Sequence, residues 1–479
     1  MSTTIVKSPT SLLRFGIARA DVTPPVGIYH RLWGAARHDR ATGVHRPLTC
    51  EVMVMQPANG SSRRIVRAQF DLAGLVHAQH ADLTNALSEA TGAAPEDVVI
   101  SYSHTHSSGW FVPDRLTLPG GEKIPGYLKQ LNAAVADAGR RAAASMTDAV
   151  ITYGVGRCNM AANRDYWDEK FGGYTCGYNP DAPADDTLIV GRVTDLGGRL
   201  IALLVNYACH GTTLAWENTL ISPDFVGALR EEVERLAGGV CVYLQGACGD
   251  LGPRDGFTGD VAVADRNGRQ VAYAALSTLQ AIDPPLTDFV YQGPVISGAT
   301  LGTWAHVPFT PERRQAAARF AGGSHTVALP LKPRPDPEKL KQEMADWEAR
   351  QREADARGEK VLARDYGARA ERARRWLGRL QDLPAGNTYP YPFWVYRLGD
   401  AVWVAGAGEP YNIIQRELRQ RFPELTILFS PLSAALQIAY LLPRDRYGRG
   451  LYQEEPSILG PGCLEQATEA MSAEIAKLR

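Results

Sequence analysis

The chain has 479 residues, 45% of them apolar, enough to bury a sizeable core as one large layered α/β body or as two or three domains. Its 51 basic and 52 acidic side chains leave a net charge of -1, which removes any general electrostatic attraction to nucleic acid or to an anionic membrane surface. No apolar run reaches the roughly 18 residues of a membrane-spanning helix, and the segment Met1 to Leu13 lacks the apolar stretch of a signal peptide, so a soluble cytoplasmic protein with no integral membrane segment is expected. The seven cysteines are an odd number, scattered and without CxxC spacing, which points to reduced thiols and away from a disulfide framework or a zinc ribbon.

In chain order, short runs rich in β-branched residues at 51–55, 65–70, 98–102, 200–205 and 240–244 predict buried strands. Between them, apolar residues at three-to-four spacing predict helices over 79–91, 127–145 and 225–236. From 333 to 383 the composition turns to Lys, Arg, Glu and Ala, and Asp336-Pro337-Glu338 has the form of a helix start. A charged helical hairpin is expected there, read as a solvated insertion in preference to a lid or partner surface, because charge runs usually face water. Strand patterning returns at 393–398 and 401–406 around the Gly399-Asp400 turn. The expected fold class is α/β, with layered mixed β-sheets covered by helices and the charged hairpin as an insertion.

The run Ser103-His104-Thr105-His106-Ser107 follows the strand at 98–102, and Asn206-Tyr207-Ala208-Cys209-His210-Gly211-Thr212 echoes it behind the strand at 200–205. Neighbouring residues of a strand alternate between faces, so His104 and His106 reach one place only if the strand has ended and the chain turns, with different jobs for each. In Ala405-Gly406-Ala407-Gly408-Glu409-Pro410 a small-residue turn ends an apolar strand and projects Glu409 outward. A hydrolytic zinc centre takes three or four N, O or S donors and keeps one position open, and His104, His210 and Glu409 are of the right kind. Each also has an ordinary reading: a hydrogen-bonded structural imidazole, or the acid of a helix N-terminus.

Several segments, in order and spacing, resemble the catalytic domain of the neutral (alkaline, non-lysosomal) ceramidases, zinc amidases that cleave the N-acyl bond of ceramide. They are Gly16-Ile17-Ala18-Arg19-Ala20-Asp21-Val22-Thr23-Pro24, the SHTHS run, Asn163-Arg164, the Asn206 to Thr212 run with Ile221-Ser222-Pro223-Asp224 behind it, Gln245 to Asp250, Ala407 to Pro410, and the series Tyr440, Tyr447, Tyr452 before Leu459-Gly460-Pro461. The resemblance implies a single catalytic domain over 1–479, a zinc ion on His104, His210, Glu409 and Tyr440, and catalytic roles for His106, Arg164 and Tyr452. His106 would be a base or oxyanion partner, with Arg164 and Tyr452 flanking the scissile carbonyl. A phenol is a ligand only as phenolate, which a divalent cation favours. Asp224 would orient an imidazole, or equally cap the helix starting near Phe225.

Three departures from the family pattern shape the expectation. Gly252 stands where the family's GDxSP segment has serine, so a serine nucleophile is excluded at that position. Trp110 and Phe111 follow the SHTHS run where the family usually has Gly-Pro-Gly, and the family's C-terminal immunoglobulin-like domain is expected to be missing. The expected activity is zinc-dependent hydrolysis of a linear amide of an N-acylated amine or amino acid, small or lipid-like. The alternatives are a true ceramidase or lipid amidase with an apolar trough near Trp110 and Phe111, an esterase or lactonase, and a zinc-binding protein without turnover. Manganese or iron also suits such donors, and assembly as a homo-oligomer is left open.

Overall fold

The computed structural model of the protein describes residues 4–479. Eight strands form the first sheet: β1 (Thr10–Asp21), β2 (Thr49–Pro57), β3 (Ile65–Phe70), β4 (Val98–Tyr102), β5 (Thr147–Arg157), β6 (Thr187–Asp195), β7 (Leu200–Tyr207) and β8 (Val240–Gln245). Their spatial order is β8-β7-β6-β5-β1-β2-β3-β4. Helices α1 (His77–Thr91), α2 (Ile124–Ala144), α3 (Phe225–Ala237) and α4 (Val261–Gln280) cover its outer face. A hairpin of β9 (Thr287–Ser297) and β10 (Ala299–Pro308) and a short helix α5 (Pro311–Ala317) lead on to the helical pair α6 (Pro337–Ala356) and α7 (Lys360–Gln381). The second sheet, in order β11-β12-β13-β14, is made of β11 (Phe320–Pro330), β12 (Thr388–Leu398), β13 (Ala401–Gly406) and β14 (Thr426–Ser430), with α8 (Ile413–Arg421) and α9 (Cys463–Lys477) behind it.

The strand period of two builds the layers. On β1, Leu13 and Phe15 point inward while Ala18 and Ala20 point out, and on β7 Leu204 points inward while Leu203 and Val205 point out. The inward set meets Tyr396, Trp403, Ala405 and Leu428 of the second sheet, so two sheets share one apolar core. Outward, Val52 and Val66 pack on Leu87 and Leu131, and Tyr243 packs with Phe225 and Val271. Four layers result, helices–sheet–sheet–helices, and the expected class of layered mixed sheets covered by helices is what the structure shows.

Within these two sheets most neighbouring strands are antiparallel, but three pairs run parallel: β3 with β4, β7 with β8, and β13 with β14. Each is joined by a crossover helix, α1, α3 and α8 respectively, as parallel pairs require. Asn206 ties two of these units together, its Nδ2 donating to Leu244 O at 2.9 Å and Phe429 O at 3.0 Å. Ser101 at the end of β4 shares a 2.7 Å hydrogen bond with Ser433 beyond β14. The carboxyl ends of three parallel pairs therefore meet, the usual location of a site in such sheets.

The expected charged helical hairpin is present as α6 and α7, and only α7 departs from the expectation of a solvated insertion. Asp336 caps α6 through its bond from Glu338 N at 2.9 Å, as its sequence suggests, and α6 is mostly exposed. In α7, by contrast, Ala363, Gly367, Ala370, Glu371, Ala373 and Trp376 are buried. Glu371 accepts from Arg115 Nη1 at 3.0 Å and Nη2 at 2.7 Å and from Arg375 Nε at 2.8 Å, fastening α7 to the loop before α2. All seven cysteines are free thiols. Among the described residues no helix is long and apolar enough to cross a membrane.

Candidate metal centre

β4 ends at Tyr102, and His104 then takes a φ of +60°, a left-handed conformation rare outside glycine. That turn breaks strand alternation, so the His104 and His106 rings lie 4.9 Å apart and face one place. His210, in the loop after β7, brings a third imidazole 4.8 Å from His104 and 5.3 Å from His106. One nitrogen from each lies within 4.8 Å of the others. Backbone carbonyls set two of the rings: Ala73 O is 2.6 Å from His104 Nδ1 and Cys248 O is 3.3 Å from His210 Nδ1. With Nδ1–H donated outward, each Nε2 keeps its lone pair for the centre.

Glu409 arrives from the second sheet. Its Oε2 is 3.4 Å from His104 Nε2 and 3.5 Å from His210 Nε2. Glu409 Oε2, His210 Nε2 and His106 Nε2 are all buried without a hydrogen-bond partner. An unpaired buried polar atom costs about 1–3 kcal/mol, so three facing one another form a site shaped for a bound cation. The charge states agree. Burial, then the nearby cations and rings, holds His106 and His210 well below the usual imidazole range and so neutral. Burial raises the Glu409 carboxyl, but His104, Arg164 and Tyr440 outweigh it and keep the group below its ordinary value. Neutral imidazoles with a carboxylate are donors that fit a hydrolytic metal ion.

Tyr440 stands beside this set because the two-residue strand Glu409–Pro410 pairs in parallel with Tyr440–Leu441. Its ring stacks on His210 at 6.3 Å, and its hydroxyl accepts from Arg164 Nη2 at 3.0 Å. Burial pushes the phenol well up and Arg164 opposes that rise. Arg164 is itself buried, donating through Nε and Nη2 to Gly249 O at 3.2 and 2.8 Å. Tyr452 is half exposed, its ring 5.9 Å from that of Tyr440. The structure thus gathers His104, His106, His210, Glu409, Tyr440, Arg164 and Tyr452 in one place. Asp224 is the exception. Its oxygens accept from Phe225 N at 2.7 Å and Leu214 N at 2.9 Å, so it caps α3 and pins the loop after His210, and no imidazole is among its hydrogen-bond partners.

A family model described as neutral/alkaline non-lysosomal ceramidase, N-terminal, matches residues 13–253, half of the chain. The chain belongs to that family. The neutral ceramidase of Pseudomonas aeruginosa is 26% identical over 254 residues, which is 50% of this chain and 37% of that protein. The crystal structure of neutral ceramidase from Pseudomonas aeruginosa superposes with a TM-score of 0.65 at 19% identity, covering 98% of this chain and 75% of that one. A ceramidase complexed with C2 gives 0.66 at 18% identity, covering 99% and 76%. The structural likeness therefore extends the shared fold past residue 253 to the segments carrying Glu409 and Tyr440.

Against the ceramidase pattern, Gly252 leaves real space. A Cβ there would stand 3.6 Å from Arg164 Cδ and 3.7 Å from Thr212 Oγ1, itself buried and unpartnered. Of the two residues that would line an apolar trough in a true ceramidase, Phe111 is buried and packs on Tyr127 with ring centroids 4.8 Å apart, and Trp110 is partly buried against the same core with the Arg375 guanidinium 5.8 Å from its ring. Sequence reasoning missed Trp33, whose ring lies 4.9 Å from His106 with Trp216 and Phe257 edge-on behind it. It also missed the Ala73 and Cys248 carbonyls. A lone aromatic and a backbone carbonyl carry no spacing signal that could have revealed them.

Proposed function

We propose that this ceramidase-family protein is a zinc-dependent hydrolase that cleaves a linear amide of an N-acylated amine or amino acid with water. The observation that carries the reading is the convergence of His210 Nε2, His106 Nε2 and Glu409 Oε2, buried and unpartnered, with His104 Nε2 3.4 Å from that carboxylate oxygen. His104, His210, Glu409 and Tyr440 are the proposed holders of the ion. Bound there, a zinc ion supplies a Lewis acid for the carbonyl and lowers the pKa of water. His106, kept neutral by burial, takes a proton from the attacking water at Nε2 and returns it to the leaving amine. Arg164 holds the Tyr440 oxygen and, with the half-exposed Tyr452, provides donors beside the oxygen that becomes negative. Position 252 offers no hydroxyl, so water is the nucleophile.

Cleavage of ceramide itself is the second reading, supported by the likeness to relatives that are neutral ceramidases. One experiment separates the two: release of free amine from a series running from short N-acyl amino acids to long-chain ceramide in detergent, each with and without a zinc chelator. Chelator-sensitive cleavage of small amides alone supports the first reading. Cleavage of ceramide supports the second, and no amine release from any amide overturns both.

A further inference from the structure

The hairpin of β9 and β10 departs from the rest of the molecule in composition and in exposure. From Phe289 to Pro311 there is no Asp, Glu, Lys or Arg, in a chain where such residues make up 22%. With the short strand Ile5–Val6 the hairpin forms a separate three-stranded sheet in the order Ile5–Val6, β9, β10, and among the described residues no other helix or strand packs closely on it. Its base is anchored, with Arg313 Nε 3.4 Å from Asp288 Oδ2. The remainder stands out in water with apolar side chains on both faces: Val295, Leu301 and Val307 on one, Ile296 and Trp304 on the other, all exposed and Ile296 to 77%. On the second face Trp304 stacks on Phe289 at 5.3 Å and meets Tyr291 edge-on at 5.4 Å, which gives the arm a defined shape. A ribbon that is apolar and exposed on both faces is marginal alone in water and marks an interaction surface.

We propose that this arm joins two copies of the chain, β10 of one pairing antiparallel with β10 of the other about a two-fold axis. The edges of the small sheet decide between occupants. Beyond Ile5–Val6 the outer edge of β9 is blunted by the register shift between Tyr291 and Gly293 and by Pro294, which has no N–H to donate. β10 carries no such device from Ala299 to Val307: no charge, no bulge, and no proline until Pro308 at its end. Among the described residues it is the one competent edge of this sheet, and a two-fold pair of β10 strands uses it up, so assembly closes at two copies. Self-pairing also brings no like charges together, because the strand has none. A lipid surface accepts the tip but leaves the outward N–H and C=O groups of β10 unpaired, which hydrocarbon penalises. A nucleic acid or a charged protein finds no counter-charge here. The inference stands apart from the amidase reading and does not depend on it.

Sedimentation velocity of the full chain and site-specific cross-linking test it. The wild type is expected at the mass of two chains down to about 1 μM. Leu301→Lys combined with Val307→Lys sets like charges on the paired strands and raises the dissociation constant at least about 100-fold. Val361→Lys, at an exposed site on α7, leaves it unchanged. Thr303→Cys and Ala305→Cys, near the middle of β10, each yield a covalent dimer with a short bismaleimide, above the background of the wild type and of Val361→Cys. These two small changes keep the test decisive where the lysine variant fails to fold. A monomeric wild type overturns the inference, and so does a dimer that the lysine changes leave intact or that neither cysteine change captures. Flotation of a monomeric wild type with phosphatidylcholine vesicles, lost in the lysine variant, overturns it and assigns the arm to a lipid surface.

Discussion

Glu409 is where the two sheets become chemically dependent on one another. It is delivered by the second sheet, yet its free oxygen faces imidazoles carried by the first. Glu409→Ala should therefore lower bound zinc from one equivalent to below about 0.1, and amide turnover by at least about a thousandfold, with the fold intact by circular dichroism. Full metal content in that variant would remove Glu409 from the site. Gly252 makes a contrasting case, because its prospective Cβ meets only ordinary contacts. Gly252→Ser should fold with a stability within about 0.5 kcal/mol of the wild type, measured by urea unfolding. The sequence showed the residue types of this site clearly, since His, Glu and Tyr at strand ends announce their chemistry. What fixes the rings, Ala73 O and Cys248 O, is backbone and has no signature in the residues that supply it. Asp224 shows the limit differently: its position before α3 was legible, but two readings fitted, and only the amides of Leu214 and Phe225 decide for the cap.

At the scale of elements, α7 turns a charged sequence into a buried contact. Its helical spacing was legible; its burial was not, because Glu371 finds its second cation, Arg115, far away in the chain. Removing one partner of such a group strands the others in a poorly solvated place. Glu371→Ala should cost about 3–5 kcal/mol in urea unfolding, and preservation of wild-type stability would mean that α7 docks by apolar contacts alone. The pH dependence follows from the same contact. Burial pushes the Glu371 carboxyl up, but Arg375 and Arg115 draw it from 4.5 to about 2, so the folded state holds the ionised form more tightly than the unfolded chain does. Its contribution is present above pH 4.5 and is lost as pH falls towards 2. The stability advantage of wild type over Glu371→Gln should therefore shrink across that window and stay flat above it. The three crossover helices α1, α3 and α8 tell the opposite story. All three were legible as helices, α1 and α3 from their apolar spacing and α8 from the helical pattern of 411–421 behind Pro410, because each covers a sheet with one amphipathic face.

At the scale of the whole molecule, Asn206 joins the carboxyl ends of β7, β8 and β14 through a single amide. Asn206→Ala leaves two buried carbonyls unpaired, so a loss of about 2–4 kcal/mol is expected, together with weaker zinc binding in a competition titration as the loop carrying His210 loosens. Unchanged zinc affinity would show that the sheets hold the site without this tie. By itself the sequence determined the donor types, the strands that end beside them and the ceramidase resemblance, because alternation, helical spacing and motif order are local properties of the chain. The tertiary structure alone decided that these donors meet. β4 and β8 lie at opposite edges of an eight-stranded sheet, and only its strong coiling brings those edges into contact, with the second sheet closing over the same end. That coiling is set by the summed twist of many strands and by the shared core, which no short run of residues encodes.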